Sequence, residues 1–416
     1  MTKLKPVLSL LIINLLSVIT VFAQQPFVDG VWQTRLHRQD GADIVFNTEV
    51  KEENGRKVLY VLNAGDRLLV DDIQMEGDSI FIKMPFFDSE FRGAVQPGGE
   101  IKGLWIRHLA NNDMSIPFTA IPGVKERFTQ HQPAKGNVTG RWATYFKTPG
   151  KADSSFSVGE FKQQGNTVYG TFLTTTGDYR FLEGIMDGDT LKLSTFDGSH
   201  AYYFTARLTG DKTLENGVFY AGIGAAKETW TAQKDASAKL PDETTLTTIK
   251  PGESKLDFSF PDVNGKQVSI SDARFKGKVV VITLMGSWCP NCMDETAYLS
   301  KWYEQNKQRG VEILGLAYER TTDFAKSQKA LIAFMKRFNV QFPVLITGVT
   351  PTDPQKTEKT LPQLTGIKGY PTTLFVDKKG QVKEVHTGFS GPGTGEHYEQ
   401  YQKDFNHLID ELLKEK

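Results

Sequence analysis

Two cysteines, Cys289 and Cys292, are the only thiols in 416 residues, and they stand two residues apart in GSWCPNCMDE at 286–295. A disulfide closing so short a loop removes little entropy from the unfolded chain, so stabilisation is a poor reason to keep the pair. Metal, haem and dithiol redox chemistry remain. Covalent haem attachment needs a histidine directly after the second cysteine, and Met293 stands there. Structural zinc needs four ligands, yet the chain offers no second cysteine pair and no histidine pair nearby. Dithiol redox chemistry is what the motif can perform.

Two further cysteine chemistries fit their surroundings poorly. Copper carriers with this kind of motif space the thiols by three residues and add a histidine. Peroxide-reducing cysteines follow Pro and Thr or Ser, and VITLMGSWC at 281–289 carries no such set.

The flanking elements give the thiols their work. KVVVITLM at 278–285 is an unbroken apolar run, the pattern of a central strand buried on both faces. Cys289 follows it where a helix begins, facing the positive end of the helix and the unpaired N–H groups of its first turn. Both favour the thiolate and make Cys289 a nucleophile. Cys292 lies one helical turn on, placed to attack the mixed disulfide that Cys289 forms with a substrate. Pro290 suits the first turn, where its missing N–H does no harm. The helix runs toward Gly310, a fitting C-terminal cap. VEILGLAY, QKALIAFMKRF, FPVLIT, TTLFVD and QVKEVH then alternate strand and helix, and Tyr398, Tyr401, Phe405, Leu408, Ile409 and Leu412 form the apolar face of a last helix. Such alternation calls for a mostly parallel or mixed sheet covered on both sides. GPGTG at 391–395 lacks the Lys-Ser/Thr ending of a phosphate loop and reads as a connection.

Residues 27–235 follow a different pattern. Short runs such as DIVFNTEV, KVLYVLNAG, DSIFIKM, TVYGTFLT and AYYFTARL are rich in β-branched and aromatic residues and are separated by Gly- and Pro-containing turns. The region repeats itself. GVWQTRL at Gly30 is echoed by GRWATYF at Gly140, GDSIFIKMPFFD at Gly77 by GDTLKLSTFD at Gly188, and PFTA ending at Ala120 by TWTA ending at Ala232. The offsets stay between 110 and 112 residues. Two copies of an antiparallel unit follow, each a barrel or sandwich of about six to eight short strands. Trp32, Trp105, Trp142 and Trp230 are expected to be core aromatics rather than the lining of a ligand cavity. His37, His108, His131 and His200 have no spacing that suggests a metal site.

The expected fold is therefore multidomain, with duplicated antiparallel β units (barrel or sandwich) followed by an α/β domain. Its parts are a signal peptide at 1–23, β repeats at 27–123 and 138–235, a polar linker at 236–254, and the redox domain at 255–416. The signal reading rests on Lys3 and Lys5, the apolar run at 7–22, and Val21 and Ala23 before the expected cleavage point. Without residues 1–23 the chain holds 47 basic residues (49 minus Lys3 and Lys5) against 49 acidic, which gives no electrostatic case for nucleic acid or an anionic membrane surface. Export places the thiols where disulfides persist.

Residues 255–416 resemble the thioredoxin-fold domain of TlpA/ResA-like exported thiol–disulfide oxidoreductases. The resemblance rests on FSFPDVNGKQVSISD ahead of the central strand, on Trp288-Cys289-Pro290-Asn291-Cys292, and on GIKGYPTTLFVDKKGQV at 366–382. It implies that Cys289 attacks and Cys292 resolves. It makes Pro371 the cis-proline facing the pair, and Tyr370 the residue whose backbone pairs with an extended substrate. Glu295 matches a glutamate that tunes the thiols or relays a proton. The alternative is that Asp294 and Glu295 simply favour the positive end of the helix. Trp288 would shield the pair from water. One departure is Thr283, six residues before Cys289, where thioredoxin carries a buried acid. Another is the uncommon Pro290-Asn291 pair, which bears on redox potential.

These readings combine into a periplasmic reductase of envelope-protein disulfides. Its partners would be protein disulfide substrates and a membrane or soluble thiol electron donor, with no cofactor, metal, nucleic acid or stable membrane insertion after signal cleavage. An alternative is an envelope binding protein whose β repeats carry the function beside an accessory redox domain. A peroxidase is a third reading.

Overall fold

Alternating inward apolar and outward polar residues turn most of the described stretch 30–234 into antiparallel sheet. The computed structural model describes residues 27–85, 87–108, 112–224 and 227–415; the expected signal peptide lies outside them.

Gly30–Leu36 pairs with Ile44–Glu53 on one side and with Asp113–Pro122 on the other. Nine strands follow one another around this first sheet, which stays open between its end strands Asp66–Val70 and Asp72–Glu76. The second sheet starts the same way. Gly140–Lys147 lies between Ser155–Gln164 and Lys227–Lys234. Here Ser155–Gln164 also pairs with Thr167–Thr174, and that strand with Leu182–Asp187, so the ladder closes into a barrel. The two-residue strand Gly177–Asp178 hangs outside the ring on Thr167–Thr174. Each sheet thus counts nine strands, above the expected range: the first is interrupted at Asp71 and the second adds this short bridge.

The duplication is visible in atomic detail. Gly30 and Gly140 share φ +121°, and the indole N–H groups of Trp32 and Trp142 donate to the carbonyls of Val28 and Val138 at 2.9 and 2.8 Å. All four expected core tryptophans are buried. The first unit holds an apolar cavity of about 30 Å³ between side chains that include Trp32, Phe46, Phe91 and Phe118, room for about one water molecule. His37, His108, His131 and His200 each hydrogen-bond an aspartate, and no cluster of metal-binding side chains occurs among the described residues.

The two units are joined by a plug. Phe196 leaves the second barrel and stacks on Phe46 in the core of the first, with ring centres 4.1 Å apart.

The C-terminal domain is built on the expected central strand, Val279–Met285, every residue of which is buried. It pairs in parallel with Val311–Ala317, which in turn pairs in parallel with Val344–Ile346. On its other side run Thr372–Val376 and Val382–Thr387, both antiparallel to their neighbours. Helices α1 (Pro290–Asn306), α2 (Phe324–Arg337), α3 (Lys356–Thr360) and α4 (Glu396–Lys414) complete an α/β thioredoxin-like fold. Helices α1 and α4 pack through Trp302 and Phe405, and Phe405 reaches Phe375 of the sheet. The polar stretch 236–254 lies along this domain. Ile249 bridges to Leu364, and the Thr387 N–H donates to the Glu243 carbonyl at 3.2 Å.

Candidate active site

The central strand ends at Met285, and the chain turns through Gly286 so that the Cys289 N–H donates to the Gly286 carbonyl. Cys289 is the N-cap of α1 and Pro290 opens the helix. Its Sγ accepts the Cys292 N–H at 3.3 Å and faces the Tyr370 carbonyl at 3.6 Å. Both thiols are free. Cys289 is 4% exposed and Cys292 fully buried. Burial, reinforced by the neighbouring Cys289, pushes the Cys292 thiol well above its ordinary pKa. The second thiol is therefore the more enclosed of the two.

The Tyr370–Pro371 peptide bond is cis, which brings the Tyr370 carbonyl to the sulfur. Trp288 covers the same edge: its ring meets Tyr370 edge-on at 5.9 Å, its N–H donates to the Tyr318 carbonyl at 2.8 Å, and Arg320 lies over it at 4.7 Å. The turn before the motif is held by Glu319, which accepts both the N–H and the hydroxyl of Ser287 at 2.8 Å. Glu319 has no sequence pattern that marks it, because it arrives from the end of a different strand.

Glu295 resolves the Thr283 departure. Its carboxyl group is fully buried and accepts hydrogen bonds from Thr283 at 2.5 Å and Thr373 at 2.6 Å. These threonines face each other on adjacent strands. The strand contributes the hydroxyl and the helix contributes the acid, so a buried carboxyl group stands beneath the motif even though position 283 lacks one. Burial raises the Glu295 pKa, and the two hydroxyls offset part of that rise. His386 is the next residue along this cross-strand row, opposite Thr373, and its Nε2 meets Glu243 at 2.8 Å. Asp294 points elsewhere, to Arg180 at 3.2 Å.

That last contact introduces residues the motif reading did not include. A corner of the second β barrel, residues 174–180, lies against the redox site. The Asn291 side-chain N–H donates to the Thr176 carbonyl at 3.3 Å, and Asp178 accepts the Gly391 N–H at 3.1 Å. The partly buried Arg180 stands between Asp294 and, at 3.4 Å, Asp197. Burial raises the Asp294 pKa to about 7; Arg180 opposes the rise, while Asp178, Asp66 and Asp197 add to it. The repeat held one signal of this corner: Gly65-Asp66-Arg67 in the first copy becomes Gly177-Asp178-Tyr179-Arg180 in the second, with a residue inserted.

Comparison with known proteins agrees with the geometry. The Redoxin family model matches residues 250–401, a segment that contains Cys289, Cys292, Glu295 and Pro371 and begins beyond both β units. The thiol-disulfide oxidoreductase ResA of Bacillus subtilis is 31% identical over 140 residues, covering 34% of this chain and 69% of the relative. The chain belongs to this family. ResA of Bacillus thuringiensis subsp. konkukian is 31% identical over 152 residues, covering 36% of this chain and 76% of the relative. ResA of Geobacillus kaustophilus is 29% identical over 145 residues, with 35% and 74% covered. The ResA-like part is thus the C-terminal domain, and the paired β units are an addition to it.

Proposed function

We propose that this ResA-like protein is an exported reductase of envelope-protein disulfides, working through the Cys289/Cys292 dithiol. The supporting observation is the placement of Cys289: N-cap of α1, facing the Tyr370 carbonyl, with Cys292 buried one turn behind it. The Cys289 thiolate attacks one sulfur of the substrate disulfide. A mixed disulfide forms, and the first substrate thiolate leaves and takes up a proton. Cys292 then gives its proton to the Glu295 carboxylate and attacks the Cys289 sulfur. The second substrate thiolate leaves, and two electrons have passed from the dithiol to the substrate. A thiol donor restores the pair. Tyr370, before Pro371, offers backbone to an extended substrate segment, and Trp288 keeps water from the sulfurs.

Export rests on the reading of residues 1–23, which lie outside the described structure; no helix among the described residues is long and apolar enough to cross a membrane. The test of function is direct. Reduced protein should convert the disulfides of an added protein such as insulin to thiols, with Cys289→Ser inactive. A fully active Cys289→Ser protein would overturn the assignment.

A further inference from the structure

The 174–180 corner does more than touch the redox domain; it occupies the strip beside the cis-proline. A Cβ on Gly369 would overlap the Thr176 methyl group, and one on Gly388 would stand 2.8 Å from the Thr175 carbonyl oxygen. Gly388 itself donates to the Pro371 carbonyl at 2.8 Å. Gly177 is pressed against Asn291, between the two cysteines, so closely that a Cβ there would overlap the side-chain amide. The corner thus runs from the motif across Gly369 to Gly388, bordering the Tyr370 backbone on which an extended polypeptide would pair. Its far end is fastened by Asp178 to Gly391 and by Arg180 to Asp294. The Asn291 amide shows how the strip is used. Its N–H is taken by the corner's own Thr176 carbonyl, while its oxygen is buried without a partner.

We propose that the 174–180 corner is the specificity-determining element of the Cys289 site. Docked, it fills the strip that a disulfide-bearing polypeptide needs and leaves the approach past Trp288, which is only partly buried. Small disulfides then react with the docked protein, and protein disulfides react when the corner is displaced. The inference rests on Cys289 being the attacking thiol.

Two full-length variants test it. Gly177→Ala places a methyl group against Asn291, and Thr176→Gly removes the methyl group seated on Gly369. Each is compared with the unaltered protein on insulin and on 5,5′-dithiobis(2-nitrobenzoate), with melting curves to confirm folding. The expected result is a severalfold rise in the insulin rate with little change in the rate on the small disulfide. If folded variants of both kinds leave the insulin rate unchanged, or raise both rates equally, the corner does not select substrates. If the unaltered protein reduces neither disulfide, the failure lies with the redox reading instead.

Discussion

The two β units use the same corner differently. In the first, a hairpin closed by Asn63 and Asp66 docks on the second unit. Asn63 exchanges hydrogen bonds with the Phe196 backbone at 2.7 and 3.2 Å, and the Ala64 N–H donates to Glu183. In the second, the hairpin closed by Thr174 and Gly177, 111 residues later, docks on the redox domain. Each unit thus leans its corner on the next one along the chain. The corners meet around Arg180, the partly buried cation that faces Asp66 of the first unit, Asp178 and Asp197 of the second, and Asp294 of α1. Duplication supplied two copies of one surface feature, and only the second copy lies beside chemistry.

The sharpest way to break this comparison is to remove the first arginine after each turn. Arg180→Met leaves buried carboxylates without their cation and should cost about 3–5 kcal/mol, read as a fall in denaturation midpoint. Arg67→Met removes a half-exposed partner of Glu49 and should cost about 0–1 kcal/mol. Equal losses would mean that the corners are equivalent after all.

The joint between the units comes next. Asn63→Ala leaves the Phe196 N–H and carbonyl unpaired in a buried place, at a cost of about 1–3 kcal/mol in chemical denaturation. The rate on small disulfides should hold, because this corner does not reach the thiols.

A pH profile separates the corners further. Asp294 has an ordinary pKa of 3.8 and is raised to about 7 by burial. The unfolded chain therefore ionises first as pH rises. Stability linked to the protonated carboxyl group is fully present below 3.8 and is lost progressively toward pH 7. Asp294→Asn should remove this loss, so the melting temperature of the variant relative to the unaltered protein should climb across that window. A constant difference would show that Asp294 does not titrate there.

The smallest effect is expected at Gly65, where an added Cβ meets open space. Gly65→Ala should change stability by no more than about 0.5 kcal/mol and leave both disulfide rates unaltered. Its counterpart Gly177→Ala moves the insulin rate.

Much of the site was legible because it is local. The run at 278–285, the two thiols and Pro290 define a strand, a turn and a helix start within fifteen residues. The β units were legible through alternation and through a repeat that preserves even the Gly30 and Gly140 backbone angle. Glu295 was half legible. Its position was marked, but its burial against the sheet depended on Thr373, which is 78 residues away in sequence and donates to it across the fold. The corner's seat on the redox domain was not legible. Asn291 and Thr176 are 115 residues apart, and neither residue type announces a partner. Their contact depends on how one folded unit seats on another, which no local pattern records.

The central claim is the order of attack, Cys289 first and Cys292 second. Reduced Cys292→Ser, Cys289→Ser and unaltered proteins can each be incubated with oxidised glutathione and weighed intact by mass spectrometry. The account predicts that Cys292→Ser gains one glutathione, released by dithiothreitol. Cys289→Ser should gain none, and the unaltered protein should lose two hydrogens as its own disulfide forms. An adduct on Cys289→Ser with none on Cys292→Ser would contradict it.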